Sequence, residues 1–244
     1  VSGGKKKVVN VGGSFGGKLM IQHLQALDPN EEQFDILVVD KQSHFEFICS
    51  NYKILCEEDT FKKHAIDFNK AMSGYASKRV SFQQGKLTSV NQSANSIEVQ
   101  NAQGEPSTIT YDCLVIVTGA SMVGPWRASD DKMPTMEDRD AEVREFREKC
   151  KAAKSILCIG AGATGIESAS YLKETWPEKT VGICQRGNCM MPDIPGAHKH
   201  VEEYMVKKLG VVYHHDSAFK DGEGIANDYE VHIDCRGFKF NGPK

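Results

Sequence analysis

Two glycine-rich turns hold the residues whose types and spacing can do chemistry. In residues 155–170, Ser-Ile-Leu-Cys-Ile-Gly-Ala-Gly-Ala-Thr-Gly-Ile-Glu-Ser-Ala-Ser, an apolar run leads into Gly160, Gly162 and Gly165 at G-x-G-x-x-G spacing. A strand feeding such a turn and then a helix is a phosphate cradle. The first glycine makes the bend, the second admits a pyrophosphate close to the backbone, and the third lets helix and strand pack. Amide N–H groups of Ala163 and Thr164 at the helix start then face the anion. A second copy lies at residues 12–17, Gly12-Gly13-Ser14-Phe15-Gly16-Gly17, after the run Lys7-Val8-Val9-Asn10-Val11. Its middle position is Ser14, a small hydroxyl residue standing where the backbone should come closest to a phosphate.

The acceptors and charges beside each turn differ. The strand predicted at residues 35–39 ends at Asp40, followed by Lys41, which places a carboxylate where ribose hydroxyls donate. At the matching tip after residues 180–184 stand Gln185 and Arg186, a pairing that leans towards a 2′-phosphate and so towards NADPH. Glu167 falls on the first turn of the second helix, where the dipole favours an acid. Cys49 and Cys56 are spaced too widely for a close redox pair and read as unpaired thiols. His198, His200, His214 and His215 project to different sides of their elements, and no metal site is expected.

The elements that position these residues follow from periodicity. The helix after the first turn is predicted to turn Leu19, Ile21 or Met20, Leu24 and Leu27 inward. Residues 41–68 read as loop and short helix, and residues 79–111 as an antiparallel meander of strands at 80–84, 86–90, 96–100 and 107–111. Residues 112–117 return as a buried strand ending in Thr118-Gly119, and Thr135 caps a helix reaching about Ala153, with Val143, Phe146, Cys150 and Ala153 inward. A helix over residues 195–209 buries Val201, Tyr204, Met205 and Leu209, and strands follow at 211–213 and 229–234. The fold class is therefore α/β, with two Rossmann-like three-layer dinucleotide-binding domains, the second inserted in the first. The expected division is 1–123, re-entered at about 236–244, and 124–235.

With 244 residues, 40% hydrophobic composition and a net charge of −3, the chain reads as soluble and globular, without a nucleic-acid-binding surface. The longest apolar run, residues 113–117, is too short to cross a bilayer, and no signal peptide is visible at Val1-Ser2-Gly3 and the lysines that follow. Eight cysteines without C-x-x-C spacing, several in apolar runs, indicate buried free thiols and a reducing, cytoplasmic compartment, with mitochondrial or membrane-peripheral placement left open.

Taken together, Val11-Gly-Gly-Ser-Phe-Gly-Gly, Asp40, Tyr111-Asp-Cys-Leu-Val-Ile-Val-Thr-Gly, residues 160–167, Trp176-Pro-Glu-Lys-Thr-Val and Cys235-Arg-Gly-Phe-Lys-Phe-Asn make a recognisable set. The chain resembles the FAD-dependent pyridine nucleotide-disulfide oxidoreductases, in the apoptosis-inducing-factor-like branch with ferroptosis suppressors and type II NADH dehydrogenases. That resemblance implies FAD on Gly12, Gly13, Ser14, Phe15, Gly16 and Gly17, with Asp40 and Lys41 at its ribose and Lys53 at its phosphates. It also implies Leu87 at the adenine, Thr118 and Gly119 on the flavin side, and NAD(P)H on Gly160, Gly162, Ala163, Thr164, Gly165, Gln185 and Arg186. Glu167 resembles the family's glutamate beside nicotinamide and flavin. The implied reaction is hydride transfer from NAD(P)H to FAD and electron delivery to a small quinone-like acceptor. Alternatives are a disulfide reductase using Cys49 and Cys56, and a nucleotide-binding or interaction module without turnover. The family's C-terminal segment, which touches the flavin and makes dimer or membrane contacts, is expected to be missing after Lys244, which would weaken flavin binding.

Overall fold

The computed structural model describes residues 4–74, 79–129 and 132–241. From the start, β1 (Lys6–Val11) leads through the first glycine turn into α1 (Phe15–Leu27) and then β2 (Phe34–Asp40). A hairpin of β3 (His44–Glu46) and β4 (Ala65–Asp67) brackets a 3₁₀ segment, Ile48–Leu55, and α2 (Thr60–His64). After α3 (Phe68–Gly74) come β5 (Val80–Gln84), β6 (Lys86–Asn91), β7 (Ser96–Gln100), β8 (Pro106–Thr110), β9 (Cys113–Ile116) and the short β10 (Ala120–Ser121). The first sheet has the order β5-β2-β1-β9 and is parallel throughout. Val8, Val9, Val11, Val38 and Val39 fill its two faces, as an apolar strand covered on both sides requires.

The chain then crosses to a second unit: α4 (Met136–Ala152), β11 (Ser155–Ile159), α5 (Ala163–Thr175), β12 (Thr180–Cys184), α6 (His198–Glu203), β13 (Val212–His214) and β14 (Val231–Asp234). Its sheet, β13-β12-β11-β14, is again parallel. The chain returns as β15 (Lys239–Phe240), which pairs antiparallel with β10, so the second unit is threaded between two strands of one ribbon. Thr135 caps α4 through a reciprocal capping box with Asp138. The segment of residues 48–57 wedges against α4 and α5. Leu55 joins the second unit's apolar core, Tyr52 meets Tyr171 edge to face, and the Arg147 guanidinium donates to the Glu57 carbonyl at 3.0 Å.

Several sequence expectations change here. Residues 80–84 do not belong to the meander: β5 lies parallel to β2 after an intervening helix, and the meander is the three strands β6-β7-β8. Alternation along a strand does not say which sheet it joins. On α1, Ile21 is buried and Leu24 half-buried, while Leu19 and Leu27 are 56% and 69% exposed. The strand at residues 113–116 is an edge, with Cys113 exposed and the rest half-buried, because only β1 flanks it. The helix expected over 195–209 begins at His198 and widens into a π turn at Tyr204–Lys208, which turns Met205 to the core and leaves Tyr204 exposed. Val1, Ser2 and Gly3, on which part of the leader reading rests, and residues 242–244 of the expected re-entry lie outside the described residues.

Candidate nucleotide sites

The two glycine turns share their backbone geometry at the first and third glycines. The N–H of Gly12 donates to the Val39 carbonyl at 2.7 Å and that of Gly160 to the Cys184 carbonyl at 2.8 Å. Both glycines have a positive φ, +109° and +105° respectively, which a side chain resists. At the third glycine of each turn a Cβ would lie 2.0 Å from the Gly12 carbonyl oxygen (from Gly17) or 1.9 Å from that of Gly160 (from Gly165). Both helices therefore touch their strands through backbone alone. Gly162, the second glycine of the second turn, has nothing within 4 Å of its Cβ position. It caps α5 with no side chain on the exposed amides, which leaves space against the backbone for a diphosphate.

Register makes Asp40 and Gln185 counterparts, each one residue beyond the carbonyl that receives the first glycine. The Asp40 carboxylate accepts from the Gly13 N–H at 2.7 Å and from the Gln42 N–H at 2.9 Å. Burial pushes its carboxyl up, against those two N–H groups and the charges of Lys41 and Arg127, which pull it down. The Gln185 side-chain oxygen reaches the Ala161 N–H at 3.4 Å in the same way, but without charge. Arg186 beside it is exposed, and the Met191 N–H closes the far side of the turn on the Ala161 carbonyl at 2.7 Å. Arg236 rests on Gly160 but is committed to an ion pair with Asp234.

A cavity of about 790 Å³ opens from the first turn, within the range of cofactor sites. Gly12, Ser14, Phe15 and Gly16 form its floor, Asp40 and Lys41 one wall, Leu87 with its β6 neighbours one end, and Thr118 and Gly119 the opposite wall. Gly13, behind the floor, packs against the Phe68 ring, which lines the cavity. The returning strand clamps that opposite wall: Thr118 Oγ1 donates to the Asn241 carbonyl at 2.9 Å and the Asn241 N–H to the Gly119 carbonyl at 2.9 Å. Lys53 is not among the lining residues. It sits on the wedge, where its charge bears on Glu57. Four cations border the cavity among the described residues: Lys41, which the sequence already placed beside Asp40, and Lys86, Arg127 and Lys239, which no sequence pattern singled out.

Cys49 and Cys56 are unpaired, and neither borders the cavity. Burial pushes the Cys56 thiol up to about 11, away from the thiolate that disulfide chemistry needs. Glu167 is exposed on α5 one residue past its first turn, not on that turn as the spacing suggested, and away from this cavity; partial desolvation pushes its carboxyl up. Among the described residues no cluster of His, Cys, Asp and Glu could hold a metal ion, and no helix is long and apolar enough to cross a membrane.

Paired parallel sheets, each with a glycine corner at the carboxyl end of its first strand, define a protein with two dinucleotide-binding domains of Rossmann type. The sequence model of the family described as pyridine nucleotide-disulphide oxidoreductase matches residues 6–237, and the chain belongs to that family. It is 27% identical over 175 residues to apoptosis-inducing factor homolog B of Dictyostelium discoideum, covering 72% of this chain and 41% of that protein. It is 23% identical over 211 residues to mouse (Mus musculus) ferroptosis suppressor protein 1, covering 85% of this chain and 52% of that one. The water-forming NADH oxidase from Lactobacillus brevis, solved with NADH bound, superposes with a TM-score of 0.72 at 18% identity, over 96% of this chain and 54% of the oxidase. The chain thus spans about half the length of the curated relatives it matches. The family is one of FAD- and NAD(P)-dependent oxidoreductases.

Proposed function

We propose that this chain is the nucleotide-binding portion of a flavoprotein oxidoreductase that takes a hydride from NAD(P)H and passes electrons to a quinone-like acceptor. The duplicated glycine corner carries this reading: two cradles of one geometry, one opening on a dinucleotide-sized cavity and the other with free space over Gly162. Bound FAD and nicotinamide nucleotide supply the hydride chemistry themselves, so the protein's part is to bind, orient and exclude water.

In this assignment the amides of residues 12–17 hold the FAD diphosphate and Asp40 releases Gly13 or Gln42 to accept from a ribose hydroxyl. The backbone of Leu87 meets the adenine, and Thr118 and Gly119 border the flavin end. Gly160, Gly162, Ala163, Thr164 and Gly165 hold the nicotinamide nucleotide, with Glu167 just past the first turn of α5 at its reactive end. Neutral Gln185 beside exposed Arg186 favours NADPH, since a carboxylate at that tip would repel the 2′-phosphate. A quinone fits better than a disulfide because the half-buried Cys56 is held as a thiol and does not border the cavity.

A visible spectrum after reconstitution with FAD tests this. Flavin bands at about 370 and 450 nm that bleach on adding NADPH, and recover on adding a short-chain quinone, are the expected result. Protein that stays colourless yet binds NADPH would instead favour a nucleotide-binding module without turnover, the reading that Ser14 at the middle position of the first turn supports.

A further inference from the structure

The second sheet has the order β13-β12-β11-β14, so the chain leaves β11 on one side and comes back on the other. In open parallel sheets the ligand crevice lies at that switch, outside the carboxyl ends of the strands. An ion pair occupies the β14 side of it. Asp234 ends β14 beside Ile159, the residue before Gly160, and Arg236 follows shortly after. The Arg236 Nε donates to both Asp234 carboxylate oxygens, at 3.0 and 3.1 Å, and its backbone N–H to one of them at 2.9 Å. Its Cγ lies 3.4 Å from the Cβ position of Gly160, so the side chain crosses the base of the glycine turn.

The two partners are held very differently. The Asp234 carbonyl accepts from the Trp126 indole N–H at 2.6 Å and lies 2.6 Å from the Cβ position of Gly124, whose φ of +92° turns the crossover towards it. The Trp126 carbonyl is fixed in turn by the Asn51 amide at 2.8 Å. The Asp234 side chain is 12% exposed and that of Arg236 56%, with the Phe219 ring 5.8 Å from the guanidinium. Gly237, next along the chain, has a φ of +49° and nothing within 4 Å of its Cβ position. The aspartate is pinned and the arginine can move.

We infer that Asp234 and Arg236 form a latch on the second turn: the carboxylate holds the guanidinium where no nucleotide is bound, and the diphosphate of an arriving nicotinamide nucleotide takes it over. The inference rests on the nucleotide reading of that turn above. About 5 Å of side chain extends beyond the arginine Cγ, comparable with the step from Gly160 to Gly162, so rotation alone carries the guanidinium to a diphosphate over Gly162. The planar fork that grips two carboxylate oxygens fits two phosphate oxygens equally well. A pair with one partner this exposed is worth little, so breaking it costs the ligand only a fewfold in affinity. Arg186 stands at the β12 tip, on the opposite side of β11, so the two arginines address different parts of one nucleotide.

Titration of the whole chain with NADH and NADPH, read on the nicotinamide fluorescence, tests the latch in wild type, Arg236→Gln, Asp234→Asn and the double variant. Glutamine keeps the Cγ that rests on Gly160. Arg236→Gln is expected to weaken both nucleotides by about tenfold, and Asp234→Asn to tighten both by about two- to fivefold. In the double variant the gain from Asp234→Asn should vanish, because it acts through the arginine. Unchanged binding in Arg236→Gln overturns the inference. So does weaker or unchanged binding in Asp234→Asn, which would make the pair a structural brace. A loss confined to NADPH overturns it by placing Arg236 at the 2′-phosphate, and a gain that persists in the double variant does so by showing direct repulsion from the carboxylate. If thermal melts show that Arg236→Gln does not fold, Arg236→Met takes its place under the same criteria. Wild type that binds neither NADH nor NADPH is a different failure, that of the nucleotide reading itself.

Discussion

Gly162 and Gly165 stand in one turn, yet replacing each by alanine should do opposite things. At Gly165 the new Cβ would lie 1.9 Å from the Gly160 carbonyl oxygen, against an ordinary contact of about 3.4 Å, so α5 must retreat by about 1.5 Å. The obstacle is backbone, which has no rotamer to change. Overpacking of this kind costs about 1–3 kcal/mol, a fall in melting temperature of roughly 2–12 °C for a chain of this size. At Gly162 the Cβ enters open space and φ is already −79°, so alanine should leave the melting temperature within about 2 °C. It would, however, occupy the surface a diphosphate needs, and NADPH affinity should fall by at least about tenfold. Thermal melts and NADPH titration of the two variants read both effects. A Gly162→Ala protein that melts and binds like wild type would refute the assignment of this corner to the nicotinamide nucleotide. A Gly165→Ala protein with unchanged melting would refute the packing argument.

Arg139 and Glu46 form an ion pair with both side chains almost fully buried, at 1% and 2% exposure, and Arg139→Met alone should cost about 3–5 kcal/mol in urea unfolding by stranding the carboxylate. Replacing both by apolar residues of similar volume should recover most of that loss. His44 is buried with neither ring nitrogen hydrogen-bonded, and desolvation holds its pKa below the free value of 6.5. The unfolded chain therefore takes up the proton first: stability is full above pH 6.5 and declines below it until the folded imidazole also protonates. His44→Leu should flatten that decline in melts across pH 7 to about 5. Cys49→Ser and Cys56→Ser should leave NADPH-dependent quinone reduction within about twofold of wild type, and a collapse in either would revive the disulfide reading.

The sequence by itself determined both corners, because their requirements are local: a short apolar strand, glycines at fixed spacing and a helix start recur wherever a backbone must approach a phosphate. It likewise determined the carboxylate at Asp40, the neutral tip at Gln185 and the N-cap at Thr135, each a matter of a few residues along the chain. Only the tertiary structure decided what depends on long-range packing. Strand alternation at residues 80–84 is the same in a meander as beside β2, and the partner is chosen by the crossover through α3. Lys53 had the right charge but sits on a segment held against α4 and α5 by Leu55, Tyr52 and Glu57, which takes it off the cavity wall. Arg127 carried no signal at all, since a lone arginine after Trp126 has no periodicity. It reaches the cavity because the Gly124 turn, the Trp126 indole and Asn51 fix the direction of the crossover, and those partners come from positions up to 108 residues away.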